Sequence, residues 1–298
     1  MIDGLLLLDK PLGLSSNAAT QRVRRMLGGV KAGHVGSLDP LATGMLPICL
    51  GEATKLAGEV LEGRKVYRFR IRLGERTATG DAEGAVLETA PVPKLDSGTL
   101  ERALQGFVGE STQVPPMYSA IKQGGRPLYA LARAGQTVER AARPIVVHSL
   151  TCLAIEPDGL DCRVECGKGT YVRVLAEDIA RALGTLGHVV ALRRECVQPF
   201  PAESMVTLEA LEAKVQAGQR PPVLDPEAVV PHLPRVLLTP ELARRVGLGQ
   251  IVDIEGLQES IGQVLRLVEA GGRFLGLGRV AAPGRVAPKR LVAQTPSA

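Results

Sequence analysis

The chain is predicted to be an α+β protein: a mixed, largely antiparallel sheet with flanking helices, followed by a small β-rich C-terminal domain. Three observations lead there. Val66–Leu73 alternates Tyr67, Phe69, Ile71 and Leu73 with Arg68, Arg70 and Arg72, the period-two pattern of a strand in an antiparallel sheet with one solvated face. Helical spacing of apolar residues recurs along the chain, as at Leu100, Ala103, Leu104 and Phe107. A proline-rich connection (Pro221, Pro222, Pro226, Pro231, Pro234) then precedes glycine-punctuated strands and suggests a boundary.

In chain order, Leu5–Leu8 reads as a short buried strand turned by Lys10-Pro11-Leu12-Gly13. Ser15, Ser16 or Asn17 caps a helix running to about Leu27, with Val23, Met26 and Leu27 on one face, and Gly28-Gly29 ends it. A glycine-rich loop follows, then an apolar strand over Met45–Leu50. Leu56, Ala57, Val60 and Leu61 have the spacing of a second amphipathic helix. After the Val66–Leu73 strand, Thr99–Phe107 is a helix. Residues 113–143 carry Pro115, Pro116, Gly124, Gly125 and Pro127 around a short helix at Leu128–Ala134, with Lys122, Arg126, Arg133, Arg140 and Arg143, and read as a basic excursion from the sheet. Strands resume at Ile145–Ile155 and Leu160–Cys166, and Thr170–Leu183 is a helix burying Leu175, Ile179 and Leu183. Beyond the prolines, Thr239 caps a helix with Pro240 at its first position, and Val264–Val268 and Phe274–Val280 form strands across Gly271-Gly272.

At 298 residues the chain can bury a sizeable core, and its 45% hydrophobic content is that of a globular protein. The net charge of +5 and a pI near 9.1 permit a polyanionic partner without requiring one. Basic residues concentrate at Arg64–Arg76 and after Ile261; a charge run of this kind is most often a solvated face. Five cysteines without a CxxC pair fit reduced thiols in a cytoplasmic protein. The N-terminal apolar run is too short for a signal h-region, and no stretch approaches the ~20 apolar residues that span a bilayer. The four histidines lack metal-ligand spacing, so no metal is expected.

Several chemistries lack their signatures. Gly167-Lys168-Gly169 is not a phosphate-binding loop, and no G-x-G-x-x-G opens a helix after a strand. No G-x-S-x-G elbow and no zinc-deaminase pattern is present. Four tyrosines, four phenylalanines and no tryptophan are too few aromatics for a base-stacking sheet of the RRM type.

What stands out is Gly33-His34-Val35-Gly36-Ser37-Leu38-Asp39-Pro40-Leu41-Ala42-Thr43-Gly44. Pro40 pushes Asp39 out of the helical region, and the glycines allow close approach of backbone and substrate. A structural Asx-type turn would look the same in isolation. The stretch resembles the catalytic motif of the TruB family of tRNA pseudouridine synthases, and further motifs agree in order and spacing over roughly residues 4–200. These are Leu7-Leu8-Asp9-Lys10-Pro11-Leu12-Gly13, Lys65-Val66-Tyr67, Gln113-Val114-Pro115-Pro116-Met117-Tyr118-Ser119-Ala120, Gly169-Thr170-Tyr171-Val172-Arg173 and His188-Val189-Val190-Ala191-Leu192-Arg193-Arg194. Departures are mild: Ser37 stands where Thr or Ala is frequent, Glu83 where Asp is common and Gln198 where Gly is common.

The resemblance implies the pseudouridine synthase fold over residues 1–230, with an RNA-gripping insertion at about 113–143, and a PUA-like RNA-binding domain over 231–298. It implies isomerisation of uridine 55 in the T loop of tRNA to pseudouridine, with no cofactor. Asp39 is then the catalytic carboxylate, acting as nucleophile on the sugar or as base at the adjacent sugar carbon, with Arg173 as its cation. Tyr67 packs on the target base and removes the last proton, and Leu192 lines the base's other side. His34 enters the RNA as the base leaves the stack, and Lys10 supports the site. A cytoplasmic monomer binding the T stem-loop is expected. Two alternatives remain at this point: an RNA-binding helper of tRNA folding, and a synthase acting on another RNA.

Overall fold

The computed structural model describes residues 2–60 and 63–292. A nine-stranded sheet runs Val223–Leu224, Gly4–Lys10, Ala42–Leu50, Gly187–Val197, Lys65–Leu73, Gly159–Cys166, Arg143–Glu156 and Gly109–Gln113, with Ala32–His34 also pairing on Ala42–Leu50. Every pairing is antiparallel except that of Gly187–Val197 with Ala42–Leu50, where Leu192 lies opposite Ala42 and Arg194 opposite Gly44. The mixed, largely antiparallel sheet read from the sequence is the sheet observed.

The two ends of the sheet differ because their sequences differ. Along Gly4–Lys10, Leu6 and Leu8 enter a core beneath helices Ser16–Met26, Val172–Ala182 and Leu208–Gln216. Leu5 and Leu7 enter a second core with Met45, Cys49, Val229, Val230, Val268, Phe274 and Leu277. A strand buried on both faces reads as a continuous apolar run. At the other end only the Tyr67, Phe69, Ile71 and Leu73 face is covered. The opposite face is solvated, and its arginines are matched by acids: Arg68 with Asp161, Arg70 and Arg72 with Asp158, Arg163 with Glu195 and Arg193 with Asp9. The row of guanidinium groups is therefore a solvated, largely neutralised surface.

The C-terminal unit is a five-stranded sheet ordered Arg235–Leu238, Val264–Glu269, Phe274–Ala282, Arg285–Leu291, Val252–Asp253, with helix Pro240–Gly247 capped by Thr239. It has its own core around Leu238, Val246, Leu265, Leu267 and Val286. Val268, Phe274 and Leu277 also join the second core of the large sheet, so the units meet through apolar packing.

Some elements differ from expectation. Residues 51–60 are a 3-10 turn (Gly51–Leu56), entered through Gly51 at φ +54°, and a single helical turn (Ala57–Val60) rather than one continuous helix; Leu61 lies outside the described residues. The Thr99–Phe107 helix begins earlier, at Ser97, because the Asp96 side chain accepts from Thr99 N–H. Val172 rather than Thr170 starts the next helix. The central strand Gly187–Val197 escapes a period-two reading, because its register shifts at Val189/Ala191 and Arg194/Cys196.

Candidate active site

Asp39 lies in the loop joining Ala32–His34 to Ala42–Leu50, and its neighbours fix that loop from below. Ser16, at the start of the first helix, donates from Oγ to Leu38 O (2.9 Å) and accepts from Leu38 N–H (2.7 Å). Lys10 Nζ donates to Leu14 O (2.6 Å), Pro11 O (2.9 Å) and, at 3.5 Å, Pro40 O. Gly13 N–H donates to Pro40 O (2.9 Å). Lys10 is fully buried, and that burial pulls its pKa down to about 8 against the opposing charges of Asp39 and Glu83.

Arg173, in the first turn of Val172–Ala182, is buried and fully engaged. Its Nη2 lies 2.9 Å from Asp39 Oδ2 and donates to Tyr118 O at 2.7 Å; Nη1 donates to Thr79 O at 2.7 Å; Nε lies 3.6 Å from Asp81 Oδ2. One guanidinium thus joins the Asp39 loop, the Thr79–Asp81 turn and the entry to the 113–143 excursion. Gln113 fastens the same region by accepting from Tyr171 N–H (2.8 Å) and donating to Tyr171 O (3.2 Å). Asp81 is buried, accepts from Thr79 Oγ1 and Glu83 N–H, and holds the far side of Arg173.

The Asp39 side chain is 41% exposed on its open edge, where a bound molecule can reach it. The other sides are packed, and burial raises its pKa above the ordinary carboxylate value. Arg173 opposes that rise, and the nearby Asp81 charge adds to it. Arg173 is a permanent cation that favours the charged form in surroundings that otherwise disfavour it, and Lys10 adds to it more weakly.

Tyr67, Leu192 and Arg194 share one face of the sheet, since Leu192 pairs with Phe69 and Arg194 with Tyr67. Arg194 is the largest fully buried side chain and donates from Nε to Met45 O (2.6 Å) and from Nη2 to Gly36 O (2.8 Å). Burial raises the pKa of the Tyr67 side chain, and the Arg194 charge pulls it back. His34 ends the short edge strand; its Nδ1 is buried without a hydrogen-bond partner, and burial, aided by the Arg194 charge, lowers its pKa. The expected residues Asp39, Arg173 and Lys10 interact directly or electrostatically. Tyr67 feels the Asp39 charge, and His34 is tied in through Arg194.

Sequence reasoning missed Asp81, Gln113 and Arg194. Gln113 and Arg194 lie at the ends of two of the family motifs, and the glycines near Arg194 were the available signal. Gly36 takes φ +68° against its guanidinium, and Gly44 takes φ +96° with a built Cβ 2.1 Å from Arg194 O. Gly44→Ala is expected to destabilise the fold by ~2 kcal/mol or more and to lower activity with it; thermal unfolding checks this, and an unchanged Tm contradicts it. Among the described residues no group of three or more His, Cys, Asp or Glu side chains is placed to hold a metal ion.

Comparison with known proteins fits this geometry. Residues 24–172 match the TruB family pseudouridylate synthase N-terminal domain, 173–240 the tRNA pseudouridylate synthase B C-terminal domain and 234–292 the pseudouridine synthase II TruB C-terminal domain. The chain is 49% identical to tRNA pseudouridine synthase B of Aromatoleum aromaticum, over 100% of this chain and 95% of that one. It is 50% identical to tRNA pseudouridine synthase B of Sodalis glossinidius, over 98% and 96% respectively. Among solved structures, a protein in a Cbf5-Nop10-Gar1 complex superposes with TM-score 0.75 at 24% identity, over 98% of this chain and 84% of that one, a likeness of fold.

Proposed function

Because the chain belongs to the TruB family of pseudouridylate synthases, we propose that it isomerises uridine 55 in the T loop of tRNA to pseudouridine, as a cytoplasmic monomer, with Asp39 as catalytic carboxylate. The observation that carries this reading is the Asp39–Arg173 pair at 2.9 Å, with one edge of the carboxylate open to a bound nucleotide.

The reaction breaks the N-glycosidic bond, turns the base and rejoins it through carbon. Product and substrate contain the same atoms at the same oxidation level, so the chemistry calls for no electron acceptor and no cofactor. An ionised Asp39 serves as nucleophile on the sugar or as base at the adjacent sugar carbon. Arg173, clamped by two carbonyls and Asp81, keeps that charge in place without moving. Tyr67 and Leu192 flank the base, and the Tyr67 oxygen accepts the last proton while passing its own hydroxyl proton to water, so the phenol stays neutral. Extruding the base costs a few kcal/mol; His34, kept neutral by its surroundings, offsets part of that by filling the vacated space. Lys10 and Ser16 hold the loop that presents Asp39.

The exposed cations of the 113–143 excursion support an RNA partner in a way the sheet's arginines do not. Lys122, Arg126 and Arg133 have no carboxylate partner among the described residues, whereas Arg68 and Arg70 are ion-paired. Changing Lys122, Arg126 and Arg133 to Gln is expected to weaken tRNA binding and to flatten the salt dependence of log K by roughly 2. Changing Arg68 and Arg70 to Gln leaves both unchanged. Equal effects of the two sets in a binding titration over salt contradict this assignment.

The activity itself is tested by incubating purified, chelator-dialysed protein with unmodified tRNA and mapping the product. One pseudouridine at position 55, and none in a transcript carrying cytidine there, is the expected result. No product, or product at another position, overturns the proposal.

A further inference from the structure

In three of the five cysteines burial disfavours the thiolate. Burial pushes the Cys49 thiol up to about 12 and the Cys166 thiol to about 11, and it raises Cys196 as well. Cys152 and Cys162 differ. They are directly opposed in the antiparallel pairing of Arg143–Glu156 with Gly159–Cys166. Opposed residues in such a pair have Cα atoms roughly 4.5–5.5 Å apart with side chains on one face, inside the range that a disulfide spans.

Their surroundings divide the roles. Cys162 is buried in the large core, whereas Cys152 is half-buried. Cys152 lines an open groove of ≈ 380 Å³ between helix Ser97–Gln105 and its own strand, with Leu100, Leu104 and Ile155. Its Sγ donates to Ala154 O at 3.2 Å. The neighbouring Cys162 side chain favours the charged form of Cys152 and lowers its pKa, and the same contact together with burial raises that of Cys162.

We propose that Cys152 and Cys162 form an oxidation site, distinct from the Asp39 centre, at which a hydroperoxide joins them in an intramolecular disulfide. The Cys152 thiolate attacks the distal peroxide oxygen. An S–O bond forms, the O–O bond breaks, and the departing hydroxide or alkoxide takes a proton from solvent. The Cys162 sulfur then attacks the Cys152 sulfenic acid. The S–S bond forms, the S–O bond breaks, and the hydroxyl leaves as water with the Cys162 proton. The two sulfurs lose two electrons in all, and the peroxide gains them.

The test uses the full chain and hydrogen peroxide at low molar excess, with intact mass, thiol counting and peptide mapping. The expected product has two thiols fewer, a mass lower by about 2 Da (two hydrogens lost), a Cys152–Cys162 crosslink, and full reversal by dithiothreitol. Cys162→Ser is expected to accumulate a sulfenic acid at Cys152 that dimedone traps. Cys152→Ser is expected to consume peroxide at least ~10-fold more slowly. Circular dichroism confirms that both variants fold, and Cys152→Ala replaces the serine variant if it does not. Wild-type protein that keeps all five thiols, forms its crosslink at another cysteine, or consumes peroxide no faster than the Cys152 variant overturns the proposal.

Discussion

Asp39→Asn is expected to form no pseudouridine, with turnover lower by on the order of 10⁴-fold or more, while binding tRNA with unchanged affinity. The amide matches the carboxylate in shape but can serve neither as nucleophile nor as base. The fold should not suffer. Burial raises the Asp39 pKa, so the folded protein holds that proton more tightly than the unfolded chain does. The group's contribution to stability is therefore greatest below the ordinary carboxylate value and falls as pH rises through the window up to its folded pKa. At neutral pH the ionised side chain lowers stability, and the asparagine variant should have an equal or higher Tm, a gap that closes in acid. Product formation near the wild-type rate would remove Asp39 from the chemistry, and a lower Tm at neutral pH would contradict the electrostatic account. A variant that still accelerates tRNA refolding would show that a folding-helper role runs independently of catalysis.

Arg173→Met is expected to cost both activity and stability. Asp81 is buried and Asp39 half-open, and the substitution leaves both facing each other without their shared cation. Breaking a buried pair by removing one partner typically costs ~3–5 kcal/mol; the half-open Asp39 places this site toward the lower figure. The carbonyls of Thr79 and Tyr118 also lose their donors, which slackens the turn and the root of the 113–143 excursion. Arg173→Lys retains a charge but not the fork that reaches four partners, so it should restore stability more than turnover. Denaturant unfolding and single-turnover assays of the two variants check this. Equal activity for lysine and arginine would show that charge alone suffices.

The legible parts of the fold were those with a clean period. The arginine alternation at Lys65–Leu73 and the leucine run at Gly4–Lys10 each carry one dominant pattern, and both strands are where that pattern puts them. The central strand Gly187–Val197 was not legible. Two register shifts break its alternation, and Arg194, whose charge suggests a surface, is buried with its donors turned onto Met45 O and Gly36 O. The same limit applied at the site. The loop motif pointed to Asp39, and family likeness to Arg173. That Asp81 grips the other side of Arg173 is a long-range fact with no local signature. The arginine-rich sheet face shows the converse: charge spacing alone cannot distinguish a phosphate-binding row from one whose partners, Asp158, Asp161, Glu195 and Asp9, arrive from other segments.

The pH dependence of single-turnover isomerisation, measured side by side for wild type and Arg173→Met, bears most directly on the claim that an ionised Asp39 beside Arg173 performs the reaction. The wild-type rate should fall with acid along a limb lying above the ordinary aspartate value of 3.8, because burial lifts the Asp39 pKa, and the limb should move to higher pH in the residual activity of the methionine variant, where the positive charge is gone. A limb at or below that value, or one that stays in place in the methionine variant, would contradict it.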